Sequence, residues 1–163
     1  MELGLSPRRI KYIINTHCHA DSAGGDYYFN CVFGTSIIAH EPDSYIIQQG
    51  DQDKTLAKTL GLIFKPTPVS ISLRRSYEKL VINNLEFHLY HCPGHTEGSM
   101  IIYAILDGDV RVLFGGDSII LRDDTFKVEM CEECIKRILD LDFNVACFNR
   151  FYVSVDAKKT IEN

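Results

Sequence analysis

The sequence predicts a mixed α/β (α+β) fold in a single domain over residues 1–163, and three observations support this. At 163 residues, of which 45% are apolar and 24% charged, the chain can bury one core but is short for two separate ones. Short β-rich runs and stretches of helical spacing are mixed along its whole length, which excludes an all-α or all-β class. Gly, Pro, Asn or Asp punctuates the elements, with no internal repeat, linker or low-complexity tract between them.

Taken in order, "LSPRRI" pairs a serine with a following proline, as expected at an N-cap and first helical position, and "KYIINT" is a buried strand. The end of that strand delivers residues 15–25, "NTHCHADSAGG", into a loop, and "AGGDYYFNCVF" starts a helix facing the same place. "TSIIAH" reads as a strand. "EPDSYIIQQG" and "DKTLAKTLG" read as two helices, each ending at a glycine, Gly50 and Gly61. The period then changes. "KLVINNLEFHLYH" is a hairpin about Asn83-Asn84, and "MIIYAILDGDVRVLFGG" a second about Asp107-Gly108. "CEECIKRILDLD" returns to helical spacing, with Ile135, Ile138, Leu139 and Leu141 apolar. "NVACF" is a short strand and "DAKKTIEN" a last polar helix.

Seventeen Lys and Arg against 22 Asp and Glu give a net charge of −5, which offers no basic footprint for nucleic acid or anionic lipid. No apolar run is long enough for a membrane span, and "MELGLSPRRI" lacks a signal-peptide core, so the expected address is cytoplasmic. The chain is long and apolar enough not to need disulfide staples, so its six cysteines are expected to be mostly reduced. Cys131 and Cys134 in "CEEC" could form a redox pair or half of a zinc site. Without a second pair at suitable spacing, they read as two small side chains on one helical face.

Three strand-end loops carry the candidate chemistry. The first holds His17, His19 and Asp21 at alternate positions, the second is "HCPGHTEGS" with His95 after Pro93-Gly94, and the third ends "LFGGDS" at Asp117. Imidazole and carboxylate are the usual ligands of zinc and non-haem iron, and strand-end loops can converge without disturbing a core. His40 and His88 lie outside these loops and read as hydrogen-bonded structural histidines; His91 is outside the motif.

In this order, His-x-His-x-Asp, Pro-Gly-His-Thr and Gly-Asp resemble the metallo-β-lactamase fold superfamily, whose glyoxalase II and persulfide dioxygenase branches use T-H-x-H-x-D-H, P-G-H-T and G-D. The resemblance runs from about Leu5 to the C-terminus and implies an αβ/βα sandwich. It implies that His17, His19, His95 and Asp117 bind a metal, and that Asp21 binds a second metal or orients the attacking water, as the catalytic residue. The implied cofactor is zinc, most simply one ion, with iron as the alternative. The implied activity is hydrolysis of a thioester or other small ester through a metal-bound water, on a small-molecule substrate. The resemblance also admits a degenerate member without turnover, or an iron-dependent persulfide dioxygenase using His17, His95 and Asp117.

The sequence departs from the family pattern in two places near the site and in one at its front. Ser22 stands where the pattern has a histidine, and "CFNRF" puts Arg150 where a late histidine is expected; both changes deplete a second metal site. Arg150 is expected to lie across Asp21 and Asp117 in place of the second cation. Only a short lead precedes the first motif, so the domain is expected to be truncated at the N-terminus, leaving an uncovered sheet that favours a homo-oligomer.

Overall fold

The computed structural model describes residues 4–106, 110–122, 125–128, 131–148 and 152–154, and the chain divides into two compact units, Met1–Arg74 and Arg75–Asn163. In the first, the Ser-Pro start forms one 3-10 turn, Pro7–Arg9, with proline at its head. Three parallel strands follow, in the order β1 (Tyr12–Ile14), β2 (Ser36–His40), β3 (Ile71–Leu73), with Ile14 beside Ile38 and Ile38 beside Ile71. Between them lie α1 (Ala20–Ala23), α2 (Asp26–Phe33) and α3 (Asp43–Gln49). The latter two helices stop where Gly34 and Gly50 turn left-handed, and the Gly50 amide returns to the carbonyls of Ile46 and Ile47. Gly50 has a second constraint, because a Cβ there would meet the backbone nitrogen of Pro66 at 2.7 Å. The core of this unit gathers Cys18, Ala20, Ala23, Ala39, Ile46, Ile47, Ala57 and Phe64. A fully buried side chain such as Ile47 contributes about 1.5–3 kcal/mol.

The second unit is built on a six-stranded sheet in the order β11-β10-β7-β6-β5-β4. Its strands are β4 (Tyr77–Ile82), β5 (Leu85–His91), β6 (Met100–Leu106), β7 (Val110–Gly116), β10 (Val145–Phe148) and β11 (Tyr152–Ser154). Strands β4 to β7 run antiparallel in sequence, and β10 joins β7 in parallel. The β4–β5 turn is the expected Asn83-Asn84 pair, with φ of 52° and 64°, the two left-handed residues of a tight hairpin turn. A separate hairpin pairs β8 (Ile119–Arg122) with β9 (Thr125–Val128). Helix α4 (Glu132–Asp140) turns Cys134 and Ile138 into a core with Cys92, Ile101, Tyr103, Leu113, Phe143 and Ala146. Among the described residues no helix is long and apolar enough to cross a membrane.

Two expectations are corrected. "DKTLAKTLG" is not a helix: the segment is a run of turns in which Leu56 is left-handed at φ 58°. The helical ladder is broken in the backbone itself, where the Leu56 amide returns to Asp53 O and the Lys58 amide to Gln52 O instead of four positions back. Asp51 Oδ1 accepts from the amides of Asp53 and Lys54, and the Gln52 amide group both donates to Phe64 O and accepts from Phe64 N. The second is the reading of Cys131 and Cys134 as two small side chains on one helical face; the cysteines are otherwise mostly thiols, as expected. Cys18, Cys31, Cys131 and Cys147 are free, but Cys92 and Cys134 are joined by a disulfide, because the end of β5 brings Cys92 beside α4 with a Cα separation of 5.6 Å. The expected turn at Asp107-Gly108, the helix over "DAKKTIEN" and Arg150 lie outside the described residues.

Candidate functional site

The first loop is pinned through its backbone at three points. The Asn15 amide donates to Ile38 O at 2.9 Å, the Cys18 amide to Asp43 Oδ2 at 2.8 Å, and the Ala20 amide to Thr55 O at 2.8 Å. Asn15 is held again through its side chain, which donates to Asp26 Oδ2 at 2.5 Å, and both of these residues are buried. With the backbone fixed, the alternate side chains His17 and His19 come together edge to face, ring centroids 4.9 Å apart. His17 is only 2% exposed, with Thr16 Oγ1 3.1 Å from its Nδ1 and Ser22 Oγ 3.4 Å from its Nε2. Each ring nitrogen of His17 thus faces a hydroxyl that can donate or accept, which holds the ring's orientation. Asp21 lies exposed in the first turn of α1, whose N-cap residue is His19.

The second pair belongs to the other unit. His95 follows Cys92-Pro93-Gly94 in a loop closed by Cys92 N to Ser99 O at 2.8 Å and Gly94 N to Thr96 O at 3.0 Å. Ser99 Oγ accepts from the Thr96 amide at 2.9 Å. Asp117 leaves β7 just past Gly116, which is left-handed at φ 55°, while a Cβ at Gly115 would meet the Phe148 ring at 2.7 Å. The glycine pair thus serves two ends, a turn and a close approach. His95 Nε2 lies 3.6 Å from Asp117 Oδ2, with side chains 13% and 7% exposed. An imidazole and a carboxylate facing each other in a sheltered place can act as an ion pair or as adjacent ligands of one cation.

The structure therefore brings His17 to His19 and His95 to Asp117, and leaves Asp21 at the surface of α1. The other histidines hold structure. His40 Nδ1 interacts with Glu41 O, His88 lies between the Tyr77 hydroxyl at 2.9 Å and Glu86 at 3.6 Å, and His91 Nε2 contacts Glu97 O at 2.8 Å. Three residues that position the first loop, Asn15, Asp26 and Asp43, were not singled out from the sequence. Asp26 and Asp43 reach the loop from the heads of helices, and no spacing rule marks them. The donor set itself suits a metal: imidazole nitrogens with carboxylate oxygens match zinc or non-haem iron.

Residues 1–139 match the metallo-beta-lactamase superfamily. A probable metallo-hydrolase of Methanocaldococcus jannaschii is 33% identical over 65% of this chain and 52% of its own length. A hydroxyacylglutathione hydrolase of Pelagibacter ubique is 28% identical over 68% of this chain and 36% of its own length. The chain spans about half the length, or less, of these curated relatives. Among solved structures, a metallo-beta-lactamase of Cronobacter sakazakii with a HARLDQ motif superposes with a TM-score of 0.72 at 20% identity, covering 90% of this chain and 61% of that one. The subclass B3 metallo-beta-lactamase BJP-1 of Bradyrhizobium japonicum gives a TM-score of 0.69 at 20% identity, covering 90% of this chain and 59% of that one.

Proposed function

The chain belongs to the metallo-beta-lactamase superfamily and has its mixed α/β fold, and on that premise we propose that it is a metal-dependent hydrolase of a thioester or another small ester. The observation that carries this reading is the donor chemistry. His17 sits with His19 on one loop and His95 against Asp117 at another, in the chain order of H-x-H-x-D, P-G-H-T and G-D. His17, His19 and His95 would hold one ion with Asp117 completing its shell, and the nitrogen-rich set favours zinc. Such an ion, when bound, polarises a substrate carbonyl and lowers the pKa of a coordinated water towards about 7. Thr16 lies against the His17 ring, and Asp21 would accept the proton of the attacking water. The thioester class is supported by the glyoxalase II-like motifs and by the likeness to the Pelagibacter ubique hydroxyacylglutathione hydrolase.

The test compares metal content and turnover. Zinc-loaded, dialysed protein is expected to retain about one equivalent by elemental analysis and to release thiol from an acyl thioester. His95→Ala is expected to lose the metal and His88→Ala to keep it, since His88 is committed to Tyr77 and Glu86. Equal metal content in the two variants would overturn the ligand assignment. A second reading, a member that holds metal without turnover, is favoured by Ser22, a hydroxyl beside His17 where the family pattern supplies another imidazole. Full metal content with no cleavage of thioester or ester substrates would select it.

A further inference from the structure

We propose that Cys92, Cys131 and Cys134 form a thiol–disulfide exchange site, with Cys131 as the surface thiol through which small thiols of the glutathione class reach a buried disulfide. Cys92 and Cys134 are 1% and 3% exposed, and their disulfide lies in the core with Ile101, Tyr103 and Ile138. An external thiol has no direct access to it. Cys131 is free and exposed, and its Sγ lies 3.1 Å from Cys134 Sγ.

The local backbone holds this arrangement. Cys131 is the N-cap residue of α4, its carbonyl accepts from the amides of Cys134 and Ile135 at 3.0 and 3.2 Å, and its own amide donates to Pro93 O at 3.2 Å. That last bond ties Cys131 to the residue after Cys92, so all three sulfurs belong to one small assembly.

The exchange needs no added oxidant. The Cys131 thiol gives its proton to solvent, and the thiolate attacks Cys134 Sγ. The Cys131–Cys134 bond forms as the Cys92–Cys134 bond breaks, and Cys92 leaves as a thiolate and takes up a proton. One disulfide and one thiol are present before and after. Apolar surroundings disfavour a Cys92 thiolate but accommodate the neutral thiol, a small hydrophobe. In the product the disulfide includes the exposed Cys131 sulfur, so a glutathione-class thiol can attack there, forming a mixed disulfide with Cys131 and freeing Cys134 as a thiol. A second such thiol then releases Cys131 and carries away the oxidised dimer. Exchange also unties Cys92, three positions before His95, from α4. Only this last consequence bears on the proposed metal site.

Glu132 and Glu133 lie between the two cysteines of "CEEC", so a glutamate-specific protease separates Cys131 from Cys134 and allows each linkage to be read by mass. The protein is equilibrated in a buffer of reduced and oxidised glutathione, its free thiols are alkylated, and the digest is mapped by mass spectrometry. Both Cys92–Cys134 and Cys131–Cys134 peptides are expected in the wild type. Finding Cys92–Cys134 alone, or no disulfide among the three, overturns the proposal. As a second measurement, Cys131→Ser is expected to slow reduction of the disulfide by glutathione at least about tenfold, whereas Cys31→Ser, at an exposed thiol on α2, leaves the rate unchanged. Equal rates in wild type and Cys131→Ser also overturn it. Neither measurement reads metal or hydrolysis, so failure here is separate from failure of the proposed activity.

Discussion

Asp26 places a carboxyl where water does not reach, and Asp26→Asn should therefore change how stability depends on pH. The residue is 2% exposed at the first turn of α2, and its ordinary value of 3.8 is pushed up to about 6 by burial, which outweighs the opposing hydrogen bond from Asn15. The folded state then holds the proton more tightly than the unfolded chain. Below the ordinary value both states are protonated and the group costs nothing. As pH rises through the window the unfolded chain ionises first, and above about 6 the full penalty of about 3 kcal/mol is present. An asparagine keeps the shape and can still accept from Asn15, but does not titrate. Whatever constant offset the amide introduces, the variant should gain about 2.5 kcal/mol on the wild type between about pH 4 and about pH 7.5. Urea unfolding of both proteins across that range measures it. A stability difference that does not change with pH would show that the Asp26 carboxyl ionises equally easily in both states, and the argument from burial would fail.

Two further perturbations test the supports of the first loop and its unit. Asp43→Ala removes the acceptor of the Cys18 amide, between His17 and His19, and should cost about 1–3 kcal/mol by calorimetry, with Asp43→Asn recovering most of it; an unchanged Ala variant would mean that Asp43 does not hold the loop. Gly50→Ala forces a left-handed residue and sets a Cβ against Pro66, so it should lose at least about 2 kcal/mol, whereas Gly61→Ala, left-handed with open space around it, should lose only the backbone part, about 1 kcal/mol; equal losses would refute the contribution of the Pro66 contact.

What could be read from the sequence follows the range over which each feature is determined. The Asn83-Asn84 turn, the stop of α3 at Gly50 and the face of α4 carrying Ile138 depend on neighbours a few positions away, and they stand as expected. His17 and His19 were legible as a pair because they stand at alternate positions of one strand-end loop, whereas the approach of His95 to Asp117 joins two loops and follows from the fold. The β8–β9 hairpin was missed because its connection lacks the Asn-Gly or Asp-Gly signal, and β3 because three residues show no period. "DKTLAKTLG" misled because helical spacing does not mark the left-handed turn at Leu56 that breaks the ladder.

The residues that hold the first loop in place lie beyond that local range. Asp26 meets Asn15 across 11 positions, Asp43 meets Cys18 across 25, and Cys134 meets Cys92 across 42. Each contact exists only because strand pairing has already brought distant segments together, and each joins residue types that are individually common. A histidine motif announces its chemistry by spacing, but the carboxylates that fix its backbone need only be present where the fold delivers them. Asn15 is the instructive case: it is the first letter of "NTHCHAD" and looks like part of the motif, yet its side chain faces the buried Asp26 while the histidines two and four positions later pair with each other. The first loop therefore depends for its shape on a carboxyl that is mostly neutral below about pH 6, and substitutions at Asp26 should disturb His17 and His19 without touching either ring.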